Sequence, residues 1–359
     1  MHKKYGSRDR KHINNLCYTY YRTGTALKQY GIEHKIKASI YLCNTQPSIY
    51  LEDSAEQYNK TIQLPITEKM ALVGLANATY FFPNHQLLSN TISKEDFLLN
   101  QLAQPHLFLR IRPKYLSRIL LELPNIPIDV KLIDPYTLQL ANTTNAALHF
   151  LINKEVVIQD YASQMVFDVL LTHLPKRSHI KVWDCCAASG GKSILLTDRY
   201  QGSIDLFVTD VRETILEHLQ TRFTEANIKN YKMATLNVAK KVLDTKDKFD
   251  LVIVDAPCTG SGTWGRTPER KLYFSIKDAE QYVTLQKSIT QNAWNNVQEG
   301  GILIYITCSV LAMENEAIVA HIAALSNATL LTAYSINGSK YNSDYMYVAI
   351  AQKKMITIQ

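Results

Sequence analysis

Two cysteines stand just past two apolar runs that read as strands. Residues 250–258, "DLVIVDAPC", end in Asp255, Ala256, Pro257 and Cys258; residues 302–309, "ILIYITCS", end in Thr307, Cys308 and Ser309, with a helix expected directly afterwards. A thiolate at such a place could make a pyrimidine reactive. Carbon 5 of the ring is too weak a nucleophile to take a methyl group. Addition of a thiolate at carbon 6 makes carbon 5 enamine-like, able to attack a sulfonium methyl, and loss of its proton then expels the thiol. One hard step becomes several easier ones. The chemistry needs a thiol, a group that grips the base edge near N3 and N4, and a route for the proton. Asp255 suits the grip, and Lys192 is a candidate cation to favour the thiolate. Residue types alone do not say which thiol attacks. The plainer reading of any free cysteine is a small buried hydrophobe.

A second stretch supplies a ligand site. Residues 181–196, "KVWDCCAASGGKSILL", read as strand, small-residue turn and helix. Small residues let a ligand approach the backbone, and the helix start behind them offers N–H groups. The turn comprises Cys186, Ala187, Ala188, Ser189, Gly190, Gly191 and Lys192. "GGKS" followed by "LVIVD" suggests a nucleotide triphosphate loop, but the first glycine of that motif would fall at Cys186, where the match fails. The other reading is S-adenosylmethionine. It asks for an acidic residue about 20 positions past the turn, at the end of the next strand, to hold ribose hydroxyls. Asp210, 19 residues after Gly191, meets that spacing. An aspartate there also caps helices; the turn before it favours the ligand.

The positioning elements follow from periodicity. Strands are expected at 180–184, 204–209, 231–236, 250–255 and 301–306, with helices near 191–200, 212–226 and 278–298, then strands near 328–333 and 345–351. Such alternation predicts an α/β, Rossmann-like parallel sheet whose ligands gather at the carboxyl ends of its strands. Three regions are expected: a helical region 1–95, which includes "YLEDSAEQYNKTI" (50–62), a small α/β module 96–155, and a catalytic domain 156–359.

Composition sets the outer bounds. The 359 residues are 46% hydrophobic and 20% charged, as in ordinary globular chains. No apolar run is long enough for a membrane helix, and the basic start "MHKKYGSRDRKH" is unlike a secretory leader. A cytoplasmic protein without membrane attachment is the expectation. The 6 cysteines form no Cys-x-x-Cys pair, so no metal site is expected and the thiols should be free. The net charge of +7 suits a polyanionic partner.

Three segments carry a family resemblance: "VWDCCAASGGKS", "DAPCTGSGTWGRTPERK" and "IYITCSVLAMENE". Together they resemble the Fmu/Sun-type RNA cytosine-5 methyltransferases, related to the eukaryotic nucleolar Nop/Sun enzymes. "GSRDRKHINNLCYTYYR" (6–22), "VVIQDYASQ" (156–164) and "NSDYMYVAI" (342–350) extend the likeness over most of the chain. The resemblance implies that Cys308 is the nucleophile, that Cys258 serves release of the methylated RNA, and that the turn 186–192, Asp210 and Asp255 hold S-adenosylmethionine. Arg266 and Pro268 match a basic stretch near the RNA. Some positions depart from the family. Ser189 stands where proline is usual, which is expected to loosen the turn; Asn237 is the nearest match to an aspartate beside the adenine, and Gly265 replaces a common arginine.

The implied substrate is RNA, with small-subunit ribosomal RNA favoured over tRNA and a monomeric enzyme expected; a catalytically silent RNA-binding assembly factor is the rival of another class. RNA contacts are expected from Arg110, Arg112, Lys114 and Arg118 of the middle module, and from Arg266. The N-terminal run Lys3, Lys4, Arg8, Arg10 and Lys11 is a weaker candidate, since charge runs are commonly solvated faces.

Overall fold

Among the described residues, alternating and continuous apolar runs fold into strands beyond residue 106. The structure, a computed structural model, describes residues 6–54, 57–176, 178–244 and 247–355. The chain divides into two compact units. The first is Met1–Pro105 with Thr263–Ser275; the second is His106–Gly262 with Ile276–Gln359.

The first unit is helical, with helices Ser7–Arg22, Ile32–Cys43, Ile66–Leu72 and Lys94–Asn100. Within 50–62 no α-helix forms among the described residues, only 3-10 turns at Ile49–Leu51 and Tyr58–Thr61. Short polar side chains capture the backbone there. Ser54 Oγ donates to Leu51 O at 2.9 Å and accepts from Tyr58 N at 3.2 Å, and Asn59 bridges both backbone groups of Ser48. Such local bonds compete with the helical ladder.

The second unit holds two sheets. The smaller comprises β1 (Leu107–Ile111), β2 (Val130–Asp134), β3 (Thr137–Leu140) and β4 (Val156–Ile158), in the order β2-β3-β1-β4. Its inner face packs Leu109, Ile111, Leu138, Leu140 and Val156 against Ile119 and Phe150. The larger comprises β5 (His179–Asp184), β6 (Ser203–Asp210), β7 (Tyr231–Thr235), β8 (Phe249–Asp255), β9 (Val297–Thr307), β10 (Ala328–Ile336) and β11 (Met346–Lys353). Its order is β10-β11-β9-β8-β5-β6-β7. Strands β5 to β9 run parallel, and β11 is antiparallel to both neighbours. This is the expected Rossmann-like architecture. Both faces are apolar: Val182, Leu251, Ile253 and Ile304 fill one core, and Trp183, Val252, Val254 and Leu303 the other.

Two helices depart most from the sequence expectation. The helix expected over 278–298 ends at Trp294, because Asn296 O accepts from Phe249 N at 2.9 Å and Val297 already pairs with Phe249 in the sheet. The helix expected after Ser309 begins only at Glu316. Residues 309–315 are held off the helical path by Ser309, which accepts from Leu311 N at 3.1 Å, and by Asn315 Nδ2, which donates to Ser309 O at 2.9 Å.

Candidate active site

The chain runs β5, β6, β7 to one side of the sheet and returns to place β8 on the other side of β5. A crevice opens at the carboxyl ends of strands where the order reverses in this way. Asp184 ends β5 beside Ile253 of β8, and Asp255 ends β8 beside Ile306 of β9. The loops leaving β8 and β9 therefore start side by side. They are laced together: Gly262 N donates to Cys308 O at 2.8 Å, and Val310 N to Ser261 Oγ at 2.9 Å. The result brings Cys258 Sγ to 3.4 Å from Cys308 Sγ, both half-buried. The hydrogen bond with Cys308 and then burial push the Cys258 thiol well above its ordinary range.

A cation lies on the same rim. Lys192 Nζ meets Asp255 Oδ2 at 2.5 Å. Burial by itself would lower the lysine, but the charge and hydrogen bond of Asp255 outweigh it, with a further contribution from Cys308, so Lys192 is raised and stays ammonium. Behind it, Asp184 is 1% exposed and accepts from Ser193 Oγ at 2.7 Å. Burial pushes its carboxyl up to about 7 against that hydrogen bond.

The turn after β5 is built as a cradle. Ala188 has φ of 45° and Gly190 has φ of 79°. A Cβ on Gly190 would lie 2.5 Å from Phe223 Cε1, so only glycine fits this left-handed turn. Ala187 N donates to Thr209 O at 2.9 Å, and Cys186 is half-buried. Gly191 and Lys192 begin the helix Gly191–Arg199. The turn is not loosened at Ser189. Arg222 Nη1 donates to Ser189 O at 2.9 Å and to its Oγ at 2.7 Å, bracing it from the helix Glu213–Glu225.

Asp210 reaches this turn directly. Its Oδ2 accepts from Ala188 N at 3.0 Å, and its Oδ1 from Arg212 N at 2.9 Å and Nε at 3.0 Å. Burial alone would raise this carboxyl; the bonds from Arg212 and Ala188 prevail and hold it below the usual range. Asn237 follows Leu236, whose N–H donates to Asp210 O at 3.1 Å. Cysteines, turn, Lys192, Asp210, Asn237 and Asp255 thus gather at one end of the sheet.

The basic residues of the middle module do not behave as expected. Arg110 is 3% exposed, bonding Gln159 Oε1 at 2.9 Å and Asp198 Oδ2 at 2.5 Å. Arg112 meets Asp198 Oδ1 at 2.8 Å and Ala226 O at 2.7 Å. Both guanidiniums fasten the small sheet to the helix Gly191–Arg199; Arg110 is buried there and offers no charge to RNA, which corrects that expectation, while Arg112 is half-buried. Lys114 is exposed, and Arg118 pairs with Glu155 and Glu122. Arg266 belongs to the first unit, where its N–H donates to Thr263 O at 2.8 Å. Lys3 and Lys4, and the side chains of Arg8 and Lys11, lie outside the described residues.

Sequence reading missed Arg212, Arg222, Asp198 and Glu314. The first three carry no motif. Glu314 was signalled faintly, as a carboxylate close behind the apolar end of β9.

Residues 171–354 match the family described as 16S rRNA methyltransferase RsmB/F. The ribosomal RNA small subunit methyltransferase B of Shewanella oneidensis is 29% identical over 252 residues, 66% of this chain and 56% of that protein. Its counterpart in Vibrio vulnificus is 33% identical over 187 residues, 49% of this chain and 40% of that protein. The matched stretch thus spans about half the length of these relatives or less. Among solved structures, PH0851 aligns over 98% of this chain and 92% of its own, with a TM-score of 0.70 at 18% identity. NSun6 from Pyrococcus horikoshii, solved with SFG, covers 76% of this chain and 97% of its own, with a TM-score of 0.64 at 14% identity.

Proposed function

Because the chain belongs to the 16S rRNA methyltransferase RsmB/F family, we propose that it methylates carbon 5 of a cytosine in RNA, with S-adenosylmethionine as donor and small-subunit ribosomal RNA as substrate. The observation that carries this reading is the pair of thiols 3.4 Å apart at the switch point of the sheet. Two thiols this close, beside a buried ammonium, suit covalent addition and release at one base.

The cradle fits the donor. It has a left-handed glycine where a side chain would clash, and Asp210 anchored to the turn at Ala188. Gly190, Gly191, Asp210 and Asn237 would hold S-adenosylmethionine, which supplies an electrophilic sulfonium methyl. The chain's own residues do the rest. Cys308 adds its thiolate at carbon 6 of the cytosine, and carbon 5 becomes nucleophilic. Asp255, steadied by Lys192, accepts the N4 hydrogen of the base. Cys258 stands 3.4 Å from Cys308, and its role is to assist release: as a water or other base takes the carbon 5 proton, the C–H electron pair re-forms the C5–C6 double bond and the Cys308 sulfur leaves as a thiolate.

Substitution of each thiol in turn tests this. Cys258→Ala is expected to accumulate a covalent RNA–protein adduct on denaturing gels, and Cys308→Ala to form none while losing methyl transfer. The reverse pattern would overturn the assignment of the thiols. Sequencing RNA labelled by the parent enzyme decides between ribosomal RNA and tRNA.

A further inference from the structure

One buried carboxylate touches both thiol loops. Glu314 is 0% exposed. Its Oε1 accepts from Thr259 N at 2.8 Å and Gln286 Nε2 at 3.1 Å; its Oε2 accepts from the hydroxyls of Thr259 and Ser309. Thr259 follows Cys258, and Ser309 follows Cys308. Gln286 Nε2 also donates to Pro257 O at 2.9 Å, so the residues on both sides of Cys258 are held. Glu314 is itself fixed, its carbonyl accepting from Tyr305 Oη at 2.7 Å. Its neighbour Asn315 accepts from Thr307 Oγ1 at 2.7 Å. Four donors converge on two oxygens, the complement of an ionised carboxylate, which only accepts.

We propose that Glu314 is a positioning residue for the two thiols: it sets the separation of their loops, and its charge, held by both the N–H and the hydroxyl of Thr259, disfavours a thiolate at the adjoining Cys258. The assignment rests on the reading of the pair as catalytic. A negative charge near a thiol disfavours the thiolate, and a cation favours it. The charge of Glu314 joins the Cys308 hydrogen bond and burial in raising Cys258, whereas Lys192 feels the charge of Cys308. The resemblance distinguished the thiols by motif; Glu314 supplies a physical cause for the difference.

Alkylation separates this from a merely structural role. The full chain, without RNA or methyl donor, is treated with iodoacetamide from pH 6 to 10, and each cysteine is followed by peptide mass spectrometry. In the parent protein Cys308 is expected to react at lower pH than Cys258. Glu314→Gln, which removes the charge, is expected to lower the Cys258 midpoint by about one pH unit and narrow the gap. Glu314→Asp, which keeps the charge, should preserve the order. Cys258 reacting first in the parent, or an unchanged gap in a folded Gln variant, would overturn the proposal. If the Gln variant does not fold, the order in the parent and the Asp variant still decides. A parent protein that shows the expected order yet methylates no RNA would sink the functional reading and leave the assignment of Glu314 standing.

Discussion

The two units bury charge in opposite ways. In the first, Arg22, Lys35, Lys69 and Lys271 are each no more than 6% exposed, and each donates to backbone carbonyls. Lys35 and Lys69 add a tyrosine ring, with Lys35 Nζ 4.2 Å from the centroid of Tyr20. All four are lowered, burial being the first cause. In the second unit, three buried or half-buried cations meet a carboxylate instead: Lys192 with Asp255, and Arg110 and Arg112 with Asp198. Lys271 and Lys192 make the contrast sharpest. Burial takes Lys271 down to about 7, while Lys192 is raised. Burial is common to both, and a carboxylate within reach reverses the sign. Carbonyl oxygens suffice to hold a cation as part of a fold. Keeping it charged at a reaction site takes a counter-ion.

Removing a counter-ion should hurt most where the pairing is densest. Asp198→Ala leaves one buried and one half-buried guanidinium without a counter-ion, and is expected to cost about 3–5 kcal/mol in urea unfolding. A loss under about 1 kcal/mol would break the account of the second unit. Asp255→Asn makes Lys192 resemble Lys271, a buried lysine without a counter-ion. Methyl transfer should then fall about 100-fold or more, with the protein still folded; a rate within a few-fold of the parent would remove Asp255 and Lys192 from the mechanism.

A pH-dependent effect sharpens the comparison from the other side. Lys271 titrates near 7 in the folded chain and near its ordinary value of about 10.4 when unfolded. Between those values the unfolded chain binds more protons, so the parent gains stability as pH rises from 7 to 10. Lys271→Met lacks this gain. Its stability relative to the parent is expected to be highest at pH 7 and to decline by about 3 kcal/mol towards pH 10. Parallel curves for parent and variant would show that Lys271 is not held neutral by burial.

Local sequence determined the parts that depend on neighbours along the chain. Strand and helix periods, the small-residue turn 186–192, the spacing to Asp210 and a thiol just past each of two strands were all legible, because each is a matter of a few consecutive backbone geometries. The middle module misled, since Arg110 and Arg112 look solvated until Asp198, 88 and 86 residues away, takes them. The brace on Ser189 by Arg222 and the clasp of Glu314 on both loops were hidden for the same reason. Only the tertiary structure decided that β8 lies between β5 and β9, and so which distant side chains share a low-dielectric site. A charge or thiol takes its protonation state from those neighbours in space, and no pattern along the chain specifies them.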